Sequence, residues 1–213
     1  MMNKKIQVMV VDSHAILREG LKLLLAESGD ITVAAEAGNG LDAIQLVRQQ
    51  QYDVLLLELA LPDRNGIDIL KQIRKEAPRQ AVLVLSSHPE DQYGVRALKA
   101  GALGYLNKGC APAELQAAIR QAAAGRNYIS AALAQELAAH VGADRPTRPH
   151  EILSDREYQT LTMIASGKAV SDIAQELLLS VKTVSMYRAR LLAKMKLRHN
   201  AELTHYAISN RLV

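Results

Sequence analysis

YDVLLLELALPDRNG, residues 52–66, decides how the first half of this chain is read. An unbroken apolar run, Val54 to Leu57, ends on a carboxylate, Glu58, and breaks into a turn at Pro62-Asp63-Arg64-Asn65-Gly66. A short run that is apolar on both faces marks a central parallel strand covered on each side by helices. In open α/β sheets, chemistry gathers just beyond the carboxyl ends of such strands. Glu58 therefore stands where chemistry is expected.

Working outward, strand-like runs recur at Ile6–Val11, Ile31–Glu36, Ala81–Ser86 and Ala102–Leu106. Helical patterns separate them, near His14–Glu27, Gly40–Gln50, Gly66–Glu76, Asp91–Ala100 and Pro112–Ala124. Five βα units of this spacing predict an α/β domain, a doubly wound parallel sheet with helices on both faces, over residues 1–125. Residues 126–151 are expected to form a linker that includes one Ala-rich helix at 130–141. It ends in GADRPTRPHE, 142–151, whose prolines, glycine and mixed charges are linker composition.

From 152 to 213 the pattern is purely helical, with segments at Asp155–Ser166, Val170–Leu177, Val181–Lys196 and Ala201–Asn210. Ser154 and Glu157 have the spacing of a capping box, and Ser180 is placed to cap the third segment.

Charge separates the halves. Residues 1–125 hold 14 Lys/Arg and 14 Asp/Glu, whereas residues 126–213 hold 12 and 8, so the whole surplus of four lies in the second part. Between Leu178 and Asn200 there are six cations and no acid. Such a run is often only a solvated face. Here it falls on a capped helix that follows a helix and a turn, the arrangement of a DNA-reading unit.

Several carriers of chemistry converge on one end of the predicted sheet. The first strand ends in Asp12-Ser13, the third at Glu58 and the fourth at Ser86, and Lys108 lies just beyond the fifth. Carboxylates, a hydroxyl and an ammonium at adjacent strand ends suit an anion with a divalent cation, although an ion-pair cluster with a purely structural role has the same composition.

Composition excludes other classes. The chain has 213 residues, no Trp and no Phe, so its core is aliphatic. The single Cys110 allows no internal disulfide and fits a reducing, cytoplasmic setting. The opening MMNKKIQVMVVD has too short an apolar stretch for a secretory signal, and no apolar run approaches a membrane span. The six histidines show no metal-ligand spacing, and neither a phosphate loop nor a nucleophile elbow is present, so no enzyme is expected.

The phrases VVDSHAILREGLKLLL, LLLELALPDRNGIDIL, VLVLSSHPEDQYGVRALKAGALGYLNKG and LSDREYQTLTMIASG resemble the response regulators of the NarL/FixJ class, and the resemblance covers essentially the whole chain. It implies a phosphorylation-responsive receiver followed by a LuxR-type helix-turn-helix domain. Its expected partners are double-stranded DNA, a second copy of the chain, and a histidine kinase or other regulator protein, with no membrane. Ser86, Lys108 and the switch aromatic Tyr105 match the family pattern.

Two positions depart from it. The family ends its first strand in two Asp residues, the second a Mg²⁺ ligand, where this chain has Asp12-Ser13. The family's phosphoacceptor Asp is here Glu58. One extra methylene moves the carboxylate by on the order of 1.5 Å, and phosphoryl transfer depends on positioning and charge neutralisation. A degenerate Mg²⁺ site near Asp12 and Glu58, weak at most, and a receiver regulated without phosphorylation are expected. The longer carboxylate can reach Ser86 and Lys108, either mimicking the switched-on state, with Tyr105 turned inward, or locking an off-like or merely structural pocket. The alternatives are a protein-interaction receiver that modulates another regulator and a conventional regulator phosphorylated on Glu58.

On the helix starting at Val181, helical spacing predicts Val184, Arg188, Leu191 and Met195 inward. Lys182, Thr183, Ser185, Met186, Ala189, Arg190 and Lys194 are the candidate DNA contacts. Lys182, Arg190 and Lys194 are expected on phosphates, and Ser185 and Met186 on base edges. The family uses its last helix for dimerisation, which would give Ala207, Ile208, Leu212 and Val213 an intermolecular role.

Overall fold

The computed structural model describes residues 5–141 and 148–213, with the side chains of 139–141 left aside. The tract 142–147, inside the expected linker, lies outside the described residues. The chain divides into two compact units, Met1–Val141 and Gly142–Val213.

In the first unit the strands are β1 (Ile6–Val11), β2 (Ile31–Ala37), β3 (Val54–Leu57), β4 (Val82–Ser86) and β5 (Gly104–Asn107). They form one parallel sheet in the order β2-β1-β3-β4-β5. Around it lie α1 (Ala15–Ala26), α2 (Gly40–Gln49), α3 (Gly66–Glu76), α4 (Glu90–Ala100) and α5 (Pro112–Ala123). All four residues of β3 and all five of β4 are buried, as a doubly covered strand requires. One face of the sheet packs Val8, Val10, Leu56 and Leu83 against Leu21, Leu25, Leu115 and Ile119. The order reverses between β1 and β3, and that switch point places the ends of both strands over one crevice.

β5 begins at Gly104, two residues later than the sequence pattern predicts. Gly101 takes the left-handed conformation (φ 104°) that ends α4, and the Ala102 N–H turns back to the Ala97 carbonyl at 3.0 Å. Ala102 thus completes a helix cap.

The helix expected inside the linker is α6 (Ala131–Val141), and it packs on α4. Leu133 is buried against Gly94, where an added Cβ would stand 2.8 Å from the Leu133 Cδ1. Ser130 Oγ donates to Glu90 Oε2 at 2.6 Å and accepts the Leu133 N–H at 3.0 Å, joining the first turns of the two helices. The helix of the expected 126–151 linker thus packs on the surface of the sheet domain.

The second unit holds a 3-10 turn (Pro149–Ile152) and the helices α7 (Asp155–Ala165), α8 (Val170–Glu176), α9 (Val181–Met195) and α10 (Asn200–Ser209). The capping box at Ser154 and Glu157 is formed, and Ser180 caps α9 through the Thr183 N–H. Tyr158, Leu161, Ile173, Val184, Leu191, Leu203 and Ala207 make the core. Among the described residues no helix is long and apolar enough to cross a membrane.

Candidate functional site

The pocket forms where β1, β3, β4 and β5 end. Asp12 and Glu58 are each 2% exposed and Ser86 is fully buried. Lys108 enters from the end of β5, its Nζ 2.5 Å from Asp12 Oδ2 and 2.6 Å from Glu58 Oε2. Its backbone N–H bonds the Ser86 carbonyl at 2.9 Å, which fixes where the side chain starts.

Both Glu58 oxygens are engaged. Oε1 accepts the backbone N–H groups of Leu59 and Ala60 at 2.6 and 3.0 Å and the Ser86 hydroxyl at 2.5 Å. Oε2 takes Lys108 and, at 3.3 Å, the Ser87 N–H. The chain must bend sharply to deliver those N–H groups. Gly66 makes the bend possible, since a Cβ there would lie 2.7 Å from the Glu58 carbonyl oxygen and 2.5 Å from the Leu59 Cα. The same loop is held from beyond by Asp63, whose carboxylate accepts the Gly40 and Leu41 N–H groups at 2.9 Å each, at the start of α2.

Asp12 Oδ1 accepts the His14 backbone N–H at 2.8 Å, closing an Asx turn, and lies 3.0 Å from His14 Nδ1. Burial pushes the Asp12 and Glu58 carboxyls up. The Lys108 ammonium and the other donors outweigh it, and both end below their ordinary values.

Ser13 is exposed, its hydroxyl 3.4 Å from His14 Nδ1. The Asx turn at Asp12 leaves the Ser13 side chain exposed beside the strand end. Mg²⁺ takes oxygen ligands at about 2.0–2.1 Å in a near-octahedral set. Here an ammonium lies between the two carboxylates, Glu58 Oε1 is committed to three donors, and the adjoining side chain is an exposed hydroxyl. This donor set does not fit Mg²⁺, and among the described residues no cluster of acidic, His or Cys side chains could hold a metal ion.

From the pocket, contacts run to α4. Ser86 Oγ accepts the His88 N–H at 3.3 Å. Tyr105, 1% exposed, donates its hydroxyl to the His88 carbonyl at 2.9 Å, and burial raises its pKa. Tyr105 is thus turned inward. The His88 ring lies 4.9 Å from that of Tyr93 on α4. His88 and His14 were not identified as site residues from sequence. His14 had a signal, a histidine two residues after a strand-end Asp. His88 had none, because its backbone makes the contacts.

On α9 the inward prediction holds for Val184, Leu191 and Met195, which are buried, while Arg188 is half-buried and donates to Asn200 Oδ1 at 2.6 Å. Lys182, Ser185, Met186, Ala189 and Arg190 are exposed along one side. Two candidate contacts have partners within the unit. Thr183 is half-buried with its hydroxyl 2.8 Å from that of Ser180, in the helix cap. Lys194 pairs with buried Glu157 at 2.6 Å, bracing the end of α9 against the start of α7. Ala207 and Leu212 are buried within the unit, leaving Ile208 and Val213 exposed.

Comparison with known proteins agrees with this division. Residues 8–120 match the response regulator receiver domain family, and residues 151–207 match the luxR family of bacterial regulatory proteins. The response regulator UvrY of Escherichia coli K12 is 35% identical over 208 residues, covering 97% of this chain and 95% of its own. The nitrate/nitrite response regulator protein NarL of the same strain is 37% identical over 209 residues, covering 96% of both chains. Among solved structures, RcsB of Salmonella enterica serovar Typhimurium, bound to the P1flhDC promoter in the presence of the phosphomimetic BeF3-, aligns with a TM-score of 0.68. It covers 97% of this chain and 100% of that one, and at 23% identity it speaks for the fold alone.

Proposed function

The chain belongs to the response regulators that join a receiver domain to a LuxR-type DNA-binding domain, and we propose that its receiver acts without phosphorylation, Glu58 serving as a built-in substitute for the phosphorylated side chain. The single observation that carries this is the bonding of Glu58. Its carboxylate engages the Ser86 hydroxyl and the Lys108 ammonium, the two groups that the family resemblance assigns to the phosphoryl group, while Tyr105 is buried beneath.

The physical logic is a two-state element biased by a fixed charge. In a conventional receiver the incoming phosphoryl group supplies the anion that draws the β4–α4 loop toward the pocket. Here the extra methylene carries a permanent carboxylate to the same donors. Its bonds to Ser86 and Ser87 hold the loop, and through the Ser86–His88 and Tyr105–His88 bonds the loop holds the start of α4. No reaction is needed and none is assigned. The chain works by binding, without Mg²⁺ or another cofactor, in the cytoplasm.

The output is double-stranded DNA, contacted by the exposed side of α9 and bound by a homodimer. Lys182 and Arg190 are exposed and, among the described residues, unpaired with any carboxylate, so both are available to phosphates. The test is DNA binding by the full-length protein with no phosphodonor, measured beside intact mass after incubation with a small phosphodonor and Mg²⁺. Specific binding with no added phosphoryl group is expected. Binding that appears only with a phosphoryl group on the chain overturns the proposal.

A further inference from the structure

The exposed side of α9 is unusual for a surface asked to read base edges. Arg188 is half-buried and committed to Asn200, and Lys194, though exposed, is paired with Glu157, so two of the longest polar side chains on this helix already have partners within the unit. Its exposed positions between Lys182 and Ala193 are Lys182, Ser185, Met186, Ala189, Arg190 and Ala193. None is Asn, Gln, Asp or Glu, the side chains that read adenine and cytosine by hydrogen bonds. Near the middle of the stripe stand Met186, 40% exposed, and Ala189, with Ala193 at its end.

An exposed methionine beside Ala189, flanked by Lys182 and Arg190, has a physical partner in the major groove. The thymine C5-methyl is the one apolar group a base pair presents there, and apolar side chains recognise it. The thioether chain is flexible and polarisable, so it can settle onto a methyl group without a fixed hydrogen-bond geometry. The flanking cations hold the backbone and carry no sequence information.

We infer that this chain recognises its DNA chiefly through thymine methyl groups, with Met186 as the specificity-determining residue and Ala189 lining the same contact. The inference rests on the proposed DNA-binding function and adds the chemical group that is read. It separates this chain from readers that place Arg on guanine or Asn on adenine, and it makes the preferred site thymine-rich at the positions facing α9.

The test uses the full-length protein. Sites are first selected from random duplex DNA, and each thymine of the preferred site is then replaced by deoxyuridine, which removes the methyl and leaves every hydrogen-bonding group in place. A buried methyl-sized group corresponds to about fourfold in affinity. The expected result is about fourfold weaker binding at one or two thymine positions. Met186→Ala should bind the thymine and deoxyuridine sites equally. Lys182→Ala should weaken both and keep their ratio. If a site is selected and deoxyuridine is tolerated everywhere, the methyl contact is refuted while DNA binding stands. If deoxyuridine weakens Met186→Ala as much as the wild type, Met186 is not the reader. Should no site be selected and no DNA be bound, the functional proposal itself fails, and this inference with it.

Discussion

Lys108 joins the ends of two strands: its ammonium lies 2.5 Å from Asp12, just beyond β1, and 2.6 Å from Glu58, just beyond β3. Two carboxylates and one ammonium leave the cluster with a net charge of −1. That cluster is closed by the protein itself.

The receiver should form no acyl phosphate. Incubated with a small phosphodonor and Mg²⁺, the full-length chain should keep its mass, because Ser13 supplies no acid at the mouth and Glu58 is bonded through both oxygens. Ser13→Asp combined with Glu58→Asp should gain one phosphoryl group and bind Mg²⁺. A phosphorylated wild type, with the modification abolished by Glu58→Gln, would contradict the proposal.

The cluster should also make stability depend on acid. The folded-state pKa values of Asp12 and Glu58 lie below their ordinary values of 3.8 and 4.5. As pH falls, the unfolded chain therefore takes up protons first. The stabilisation is complete above about pH 4.5 and is lost as pH falls through the depressed folded values. Urea unfolding between pH 6 and pH 3 (about the range in which carboxylates titrate) should show this loss, and it should be shallower in Glu58→Gln. Identical slopes for the two proteins would exclude Glu58 as a contributor.

Much of this pocket was legible in the sequence, because continuous apolar runs locate β1, β3 and β4, and residues at strand ends converge whatever their side chains do. Asp12, Glu58, Ser86 and Lys108 follow from that rule alone. Ser13 does not, since the turn made by the Asp12 carboxylate on the His14 N–H decides which neighbour faces the pocket. Lys194 looked like a phosphate contact because its partner Glu157 is 37 residues away. The docking of α6 was hidden by its Ala-rich composition, in which Leu133 supplies the buried anchor among the described side chains. Gly94 leaves the room for it on α4.

That anchor should be measurable. Leu133→Ala removes a buried side chain, a change that costs about 2–5 kcal/mol in well-packed sites. Hydrogen exchange should show α6 opening more readily in this variant while β3 and β4 keep their protection. Unchanged exchange in α6 would mean that Leu133 does not hold the helix.

The two lysines of α9 should behave differently on DNA. Lys182→Ala should weaken binding to all sequences and lower the salt slope by about one unit. Lys194→Ala should leave the slope unchanged and destabilise the domain, since it removes the ammonium beside the buried Glu157 carboxylate and leaves that charge only its capping bond to the Ser154 N–H. Equal slopes for the two variants would make Lys194 a phosphate contact as well.

The most direct measurement is DNA binding and dimerisation of the full-length protein, with no phosphodonor present, for the wild type, Glu58→Ala and Lys108→Ala. One ion pair with its hydrogen bonds biases the switch by on the order of 1–2 kcal/mol, which corresponds to about five- to thirtyfold. Both variants should lose affinity and dimer together by that factor, because each removes the same bias on the β4–α4 loop. If Glu58→Ala binds DNA and dimerises as the wild type does, Glu58 is a structural remnant and the account is wrong.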